Sequence, residues 1–128
     1  IPANVTGRWK WTDPGRGGCT LEIDQRYQQI RGTLQRGRAK TTMTDARVAG
    51  DRIAFAIEAG SGAAKARLEF AGIVAGDRIE GMSVSTWGSQ ARSARWHAVR
   101  NPATKRPIDE GHPTPGLNGK DRRADDTK

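Results

Sequence analysis

Val48-Ala49-Gly50-Asp51-Arg52-Ile53 recurs word for word as Val74-Ala75-Gly76-Asp77-Arg78-Ile79, 26 residues further along the chain. Each copy joins a stretch ending in Val to one opening in Arg-Ile through a Gly-Asp pair. Glycine tolerates the positive φ that a two-residue hairpin link demands. The spacing is about the length of two short strands with their turns. Two identical hairpins in step predict an up-and-down meander of antiparallel strands.

The flanking sequence extends the pattern in both directions. Ile53, Phe55 and Ile57 alternate with small or polar residues, and Ala66, Leu68 and Phe70 continue the alternation towards Val74. Ile79 opens a strand running through Met82 and Val84. Towards the N-terminus, Val5, Gly7, Trp9 and Trp11 alternate with Thr6, Arg8, Lys10 and Thr12, a period of two. Cys19, Leu21 and Ile23 follow, and then Ile30 and Leu34. Thr41 to Val48 is a weaker stretch, favoured as a strand by β-branched threonines. Ala94 to Arg100 reads as the last strand. Residues 13–18, Arg36-Gly37-Arg38, Gly60, Gly62 and Trp87-Gly88-Ser89-Gln90 punctuate the series as turns or loops. The expectation is an all-β fold: a single small antiparallel up-and-down β-barrel of about eight strands over residues 1–100. Its core is expected to hold Trp9, Leu21, Ile23, Ile53, Phe55, Ile57, Leu68, Phe70 and Trp96. Residues 101–128 open with Asn101-Pro102, carry Pro107, Pro113 and Pro115, and read as a tail rich in Pro, Gly and charge.

Composition agrees with this architecture. The 128 residues are enough for one domain, and only 34% are apolar, which is thin for a helical bundle. A small barrel needs only one apolar face per strand. The chain opens with Ile1 rather than Met, which suggests processing or excision from something longer. No apolar run approaches the roughly 18 residues of a membrane span. One cysteine excludes an internal disulfide and leaves the compartment open. The net charge is +8, of which +7 belongs to residues 1–100. The basic residues are interspersed with acidic ones, which argues for solvated strand faces over a nucleic-acid stripe.

No catalytic set emerges. His97 alternates with Trp96 and is expected to face outward, and His112 lies in the tail. There is no HExxH, CxxC or pair of His at helical spacing, so no metal site is implied. A Cys19–His97 nucleophile pair is conceivable, but a small buried thiol and a surface imidazole are the plainer reading. Gly15-Arg16-Gly17-Gly18 is a turn before it is an anion cradle, and no glycine-rich nucleotide loop is present. No cofactor is expected. The tryptophans carry more information, being four of only seven aromatic residues. Trp9 and Trp96 read as core. Trp87, with Arg92 and Arg95 just beyond it, reads as a rim residue able to hold a planar or anionic group by stacking and charge. The candidate ligand contacts are therefore Trp87, Arg92, Arg95, Trp11 and Tyr27.

Two resemblances follow from these residues. Gly7-Arg8-Trp9, with Arg95 and Arg100 in the closing strand, resembles the calycin pattern of lipocalins and avidins. In those barrels a first-strand Trp packs under a basic residue of the last strand. More extensively, Ile1-Pro2-Ala3-Asn4-Val5-Thr6-Gly7-Arg8-Trp9 is similar to the linker and first strand of a C-terminal domain. That domain follows the catalytic domain of certain proteobacterial class I S-adenosylmethionine-dependent methyltransferases. The stretches Leu21-x-Ile23-x-Gln25-Arg26-Tyr27-Gln28-x-Ile30-x-Gly32-Thr33 and Phe70-x-Gly72-x-Val74-x-Gly76-Asp77-Arg78-Ile79-Glu80-Gly81 resemble it too. The resemblance implies a non-catalytic companion whose partner is an N-terminal catalytic domain of the same protein. It also implies an exported, periplasmic setting, with a cytoplasmic one still open. It carries over no site residues. The chain by itself is expected neither to bind S-adenosylmethionine nor to transfer methyl groups, since the cofactor loop and its following acid are missing. The alternatives are a small-ligand-binding barrel and a polyanion-binding module.

Overall fold

A computed structural model of the protein describes residues 1–13 and 17–108. The expected Pro14–Arg16 part of the first turn, His112 and the rest of the tail beyond Ile108 lie outside the described residues.

The described strands are β1 (Gly7–Asp13), β2 (Gly17–Arg26), β3 (Gln29–Arg36), β4 (Ala39–Thr42), β5 (Thr44–Ala49), β6 (Arg52–Ala59), β7 (Ala66–Ala75), β8 (Arg78–Trp87) and β9 (Gln90–Arg100). All pair antiparallel with their chain neighbours except β4 and β5, which do not pair with each other, and β1 also meets β9. The sheet therefore closes into an eight-strand barrel with one extra strand. The extra strand arises because the stretch from Ala39 to Ala49 is broken. β4 pairs with the upper half of β3, and β5 touches its lower half only at Gln29↔Arg47. Asp45 takes a left-handed φ of 51°, and the β5–β6 register shifts between Thr44 and Arg47. A bulge of this kind bends one strand enough to close a barrel.

The repeated Gly-Asp pairs sit where the sequence places them, as two-residue links between β5 and β6 and between β7 and β8. Gly50 and Gly76 have φ of 58° and 61°, the sign that the first central residue of a tight hairpin requires. Gly88-Ser89 forms a third link of this form, with Gly88 at φ 58°. This corrects one sequence expectation. Trp87 and Gln90 are not loop residues but the last and first residues of β8 and β9, paired with each other. One glycine able to reverse the chain makes a longer loop unnecessary.

Side chains alternate cleanly. Trp9, Trp11, Leu21, Ile23, Leu34, Ile53, Phe55, Ile57, Leu68, Phe70, Ile79, Trp96 and Ala98 are all buried, including every expected core residue. Phe55 stacks on Phe70 at 4.8 Å, and Trp96 meets both rings edge-on, at 5.7 and 5.1 Å. These rings fill the middle of the barrel, as expected for a cylinder of eight strands. Gly81 faces inward opposite Gly72, and a Cβ on it would fall 1.9 Å from the Ala71 carbonyl oxygen. That contact explains glycine at this sharp coil of the sheet.

The end of the barrel carrying the Gly50 and Gly76 turns is sealed. Trp9 is fully buried there and donates its Nε1–H to the Val5 carbonyl at 2.9 Å. Gln25 holds the N-terminal segment, accepting from the Val5 amide at 2.7 Å and donating to the Ala3 carbonyl at 2.9 Å. The described start of the tail joins this end instead of leaving it. A 3-10 turn at Pro102–Thr104 follows β9, the Arg106 amide donates to Thr6 Oγ1 at 2.8 Å, and the Arg106 guanidinium reaches Asp24 at 2.8 Å.

Candidate functional site

The opposite end of the barrel carries the Gly37 and Gly88 turns, and it is the less closed of the two. β1 and β9 share only two residue pairs, Trp9↔Arg100 and Lys10↔Val99. Above them the two strands part. Ala94 and Arg92 lie on the same side of β9 as buried Trp96 and Ala98, yet both are exposed. The upper part of the β8–β9 hairpin thus projects beyond the packed core.

Trp87 and Arg92 meet on this projection. Trp87 shares its face of β8 with Ile79, and so points to the barrel's inner side at the rim. Arg92 stands two residues along from Gln90, the direct cross-strand partner of Trp87, on the same face and opposite Ser85. Its guanidinium carbon is 5.9 Å from the Trp87 ring centroid. Arg92 has no carboxylate partner among the described residues, whereas several other arginines of the barrel wall have one. Arg8 is paired with Glu22, Arg78 with Glu80 and Arg100 with Asp77. Arg67 binds three carboxylates, and its pKa is raised by hydrogen bonds from its guanidinium to Glu69, then Asp45 and Glu58.

The other expected contacts do not join this pair. Arg95 lies on the outer face opposite Met82, because one residue along a strand reverses the side-chain direction. Trp11 is buried within the aromatic layer, 5.5 Å from Trp96 and edge-on to it. Tyr27 occupies the β2–β3 turn at the sealed end, half exposed, with a left-handed φ of 54°. Gln25 Nε2 donates to its carbonyl at 2.8 Å and steadies that turn. Tyr27 and Trp87 therefore stand at opposite ends of the barrel.

Cys19 and His97 line one cavity beside the seam with Lys10, Trp11 and Thr20, but they belong to opposite faces of the wall. The thiol is buried inside and receives a hydrogen bond from Arg36 Nε at 3.3 Å, whereas His97 is on the outer face across from Glu80. Among the described residues no cluster of His, Cys, Asp or Glu could hold a metal ion, and no helix is long and apolar enough to cross a membrane.

Sequence reasoning missed a second feature of this half of the molecule. The indole Nε1 atoms of Trp11 and Trp96 are buried without a hydrogen-bond partner among the described residues. Period two showed that both rings point inward, but it could not show which acceptors surround them. Comparison with protein-family models, curated proteins and solved structures finds no match to this chain.

Proposed function

We propose that this chain is a non-catalytic binding module that recognises a small planar anion at the open rim of its barrel. The observation that carries this reading is the Arg92 guanidinium over the Trp87 ring, with no carboxylate of the described protein to neutralise it. An aromatic face and an unpaired cation at a rim hold a flat anionic group by stacking and charge together. The aromatic layer further in fills the barrel, so the ligand rests on the rim and does not descend into a deep interior chamber. The resemblance to a methyltransferase C-terminal domain fits a module of this kind, which would present a substrate or a partner to a catalytic neighbour. The calycin-like arrangement of Trp9 and Arg100 supplies the rigid base on which such a rim is built.

Tryptophan fluorescence titration tests the proposal with benzoate, cyclohexanecarboxylate and benzamide. Benzoate is both flat and charged, and the other two each lack one property. Benzoate is expected to bind best. Trp87→Ala should erase its advantage over cyclohexanecarboxylate, and Arg92→Gln its advantage over benzamide. Each contact is worth on the order of 1 kcal/mol. Benzoate binding indifferent to both substitutions refutes the assignment.

A further inference from the structure

We infer that the open edge of β9 accepts an extended acidic peptide as an added strand. The backbone geometry of β9 offers this edge whether or not Trp87 and Arg92 hold a ligand. The Arg100 amide donates to the Asp77 carbonyl on the β8 side, and the Asn101 amide donates to the Arg8 carbonyl on the β1 side. Amide directions alternate along a strand, so the N–H groups of Ala91, Ser93, Arg95 and His97 point away from β8. β1 reaches β9 only at Val99 and Arg100. None of these four residues has a backbone hydrogen-bond partner on that side among the described residues. They present a row of amides and carbonyls roughly 20 Å long, a length that an extended peptide can match.

Proteins usually cover or blunt such an edge. Here Trp11 and Trp96 join the two sides of the seam by ring contact at 5.5 Å while the backbones above stay apart. The charge of the edge selects the occupant. The open part of β9 carries Arg92 and Arg95 and no acidic residue, and Lys10 stands across the seam. A second copy pairing β9 against β9 would bring the Arg92 and Arg95 of one copy close to those of the other. An acidic strand instead gains hydrogen bonds from the edge and ion pairs from Arg95 on the outer face.

Ser93→Pro isolates the backbone contribution. It deletes one donor from the open edge and leaves the ladder to β8 intact, a position where proline is tolerated. Fluorescence anisotropy with a fluorescein-labelled decapeptide alternating Thr and Glu provides the readout. Saturable binding to the full chain is expected. It should weaken by about tenfold or more on Ser93→Pro, and similarly when alternate amides of the peptide are N-methylated, because each loss leaves a strand hydrogen bond unmade. Arg95→Glu should weaken it as well, and Trp87→Ala should leave it unchanged. Should Ser93→Pro fail to fold, the N-methylated peptide against the unsubstituted protein decides the matter. The proposal is overturned if the decapeptide does not bind, if N-methylation has no effect, or if a Thr-Lys decapeptide binds equally well. Sedimentation showing a dimer that Ser93→Pro dissociates would overturn it in favour of a second copy.

Discussion

The guanidinium of Arg100 lies 4.7 Å from the centre of the Trp9 ring, across the seam where the last strand meets the first. Its five donors are almost fully used. Nη1 donates to the carbonyls of Asn4 and Thr6 at 2.8 and 2.9 Å, Nε to Asp77 at 2.8 Å and Nη2 to the Gly76 carbonyl at 3.0 Å. One buried side chain thus binds the N-terminal segment, the second Gly-Asp turn and the first-strand tryptophan. Replacing it by Met keeps much of the volume but leaves these acceptors unpaired. Arg100→Met is expected to destabilise the fold by about 3–5 kcal/mol, the usual cost of removing one partner from a buried charged network. Urea unfolding followed by tryptophan fluorescence measures it, and a loss under about 1 kcal/mol would show the network to be dispensable.

Trp9 and Trp11 are neighbours on one face of one strand, yet their indole N–H groups differ. Trp9 donates to Val5, whereas Trp11 has no acceptor among the described residues. Trp9→Phe should therefore cost more than Trp11→Phe by about 1–3 kcal/mol, since only the first removes a made hydrogen bond and weakens a cation–π contact. Equal losses in chemical denaturation would mean that ring volume alone matters at both positions.

Gly81 and Gly18 separate a glycine required by crowding from one that is not. Alanine at position 81 meets the Ala71 carbonyl, while alanine at position 18 meets nothing within 4 Å. Gly81→Ala is expected to destabilise by about 1–3 kcal/mol or more, as overpacking does, and Gly18→Ala by much less. Thermal melts of the two variants side by side make the comparison.

The described beginning of the tail belongs to the folded unit. A chain ending at residue 108 keeps the bonds of Asn101, Thr104 and Arg106 to the sealed end, including Arg8 N–H to Thr104 Oγ1 at 2.8 Å. A chain ending at residue 100 leaves Thr6 and the Arg8 carbonyl without these partners. It should be less stable by about 1–3 kcal/mol in urea. Identical midpoints for the two would show that these contacts contribute nothing.

Much of the barrel could be read directly from the residues. Alternation with period two is a local property, so Ile53, Phe55 and Ile57 or Leu68 and Phe70 declare which face is buried whatever lies across from them. The Gly-Asp repeat marked two hairpins, because positive φ is a demand the chain meets at a single residue. Strand limits were less legible. Trp87 looked like a loop residue because the following Gly88 breaks the pattern, but a two-residue turn ends a strand without shortening it. The kink that splits β4 from β5 had no sequence signal: Asp45 takes a left-handed conformation, and its carboxylate meets Arg67 from a strand distant in the chain.

By itself the sequence determined an all-β meander, the inward set of each strand and a tryptophan–arginine pair near the last turn. Only the tertiary structure decided which of those residues lie together. Arg92 joins Trp87 and Arg95 does not, Tyr27 falls at the far end, and β9 parts from β1 after two pairs. The physical reason lies in the range of the interactions. Side-chain direction follows from neighbours along the chain, whereas closure of a barrel balances pairing between strands some ninety residues apart. There Arg100 and Trp9 hold one end of the seam closed, and above the Trp11–Trp96 contact no strand pairing among the described residues closes the other.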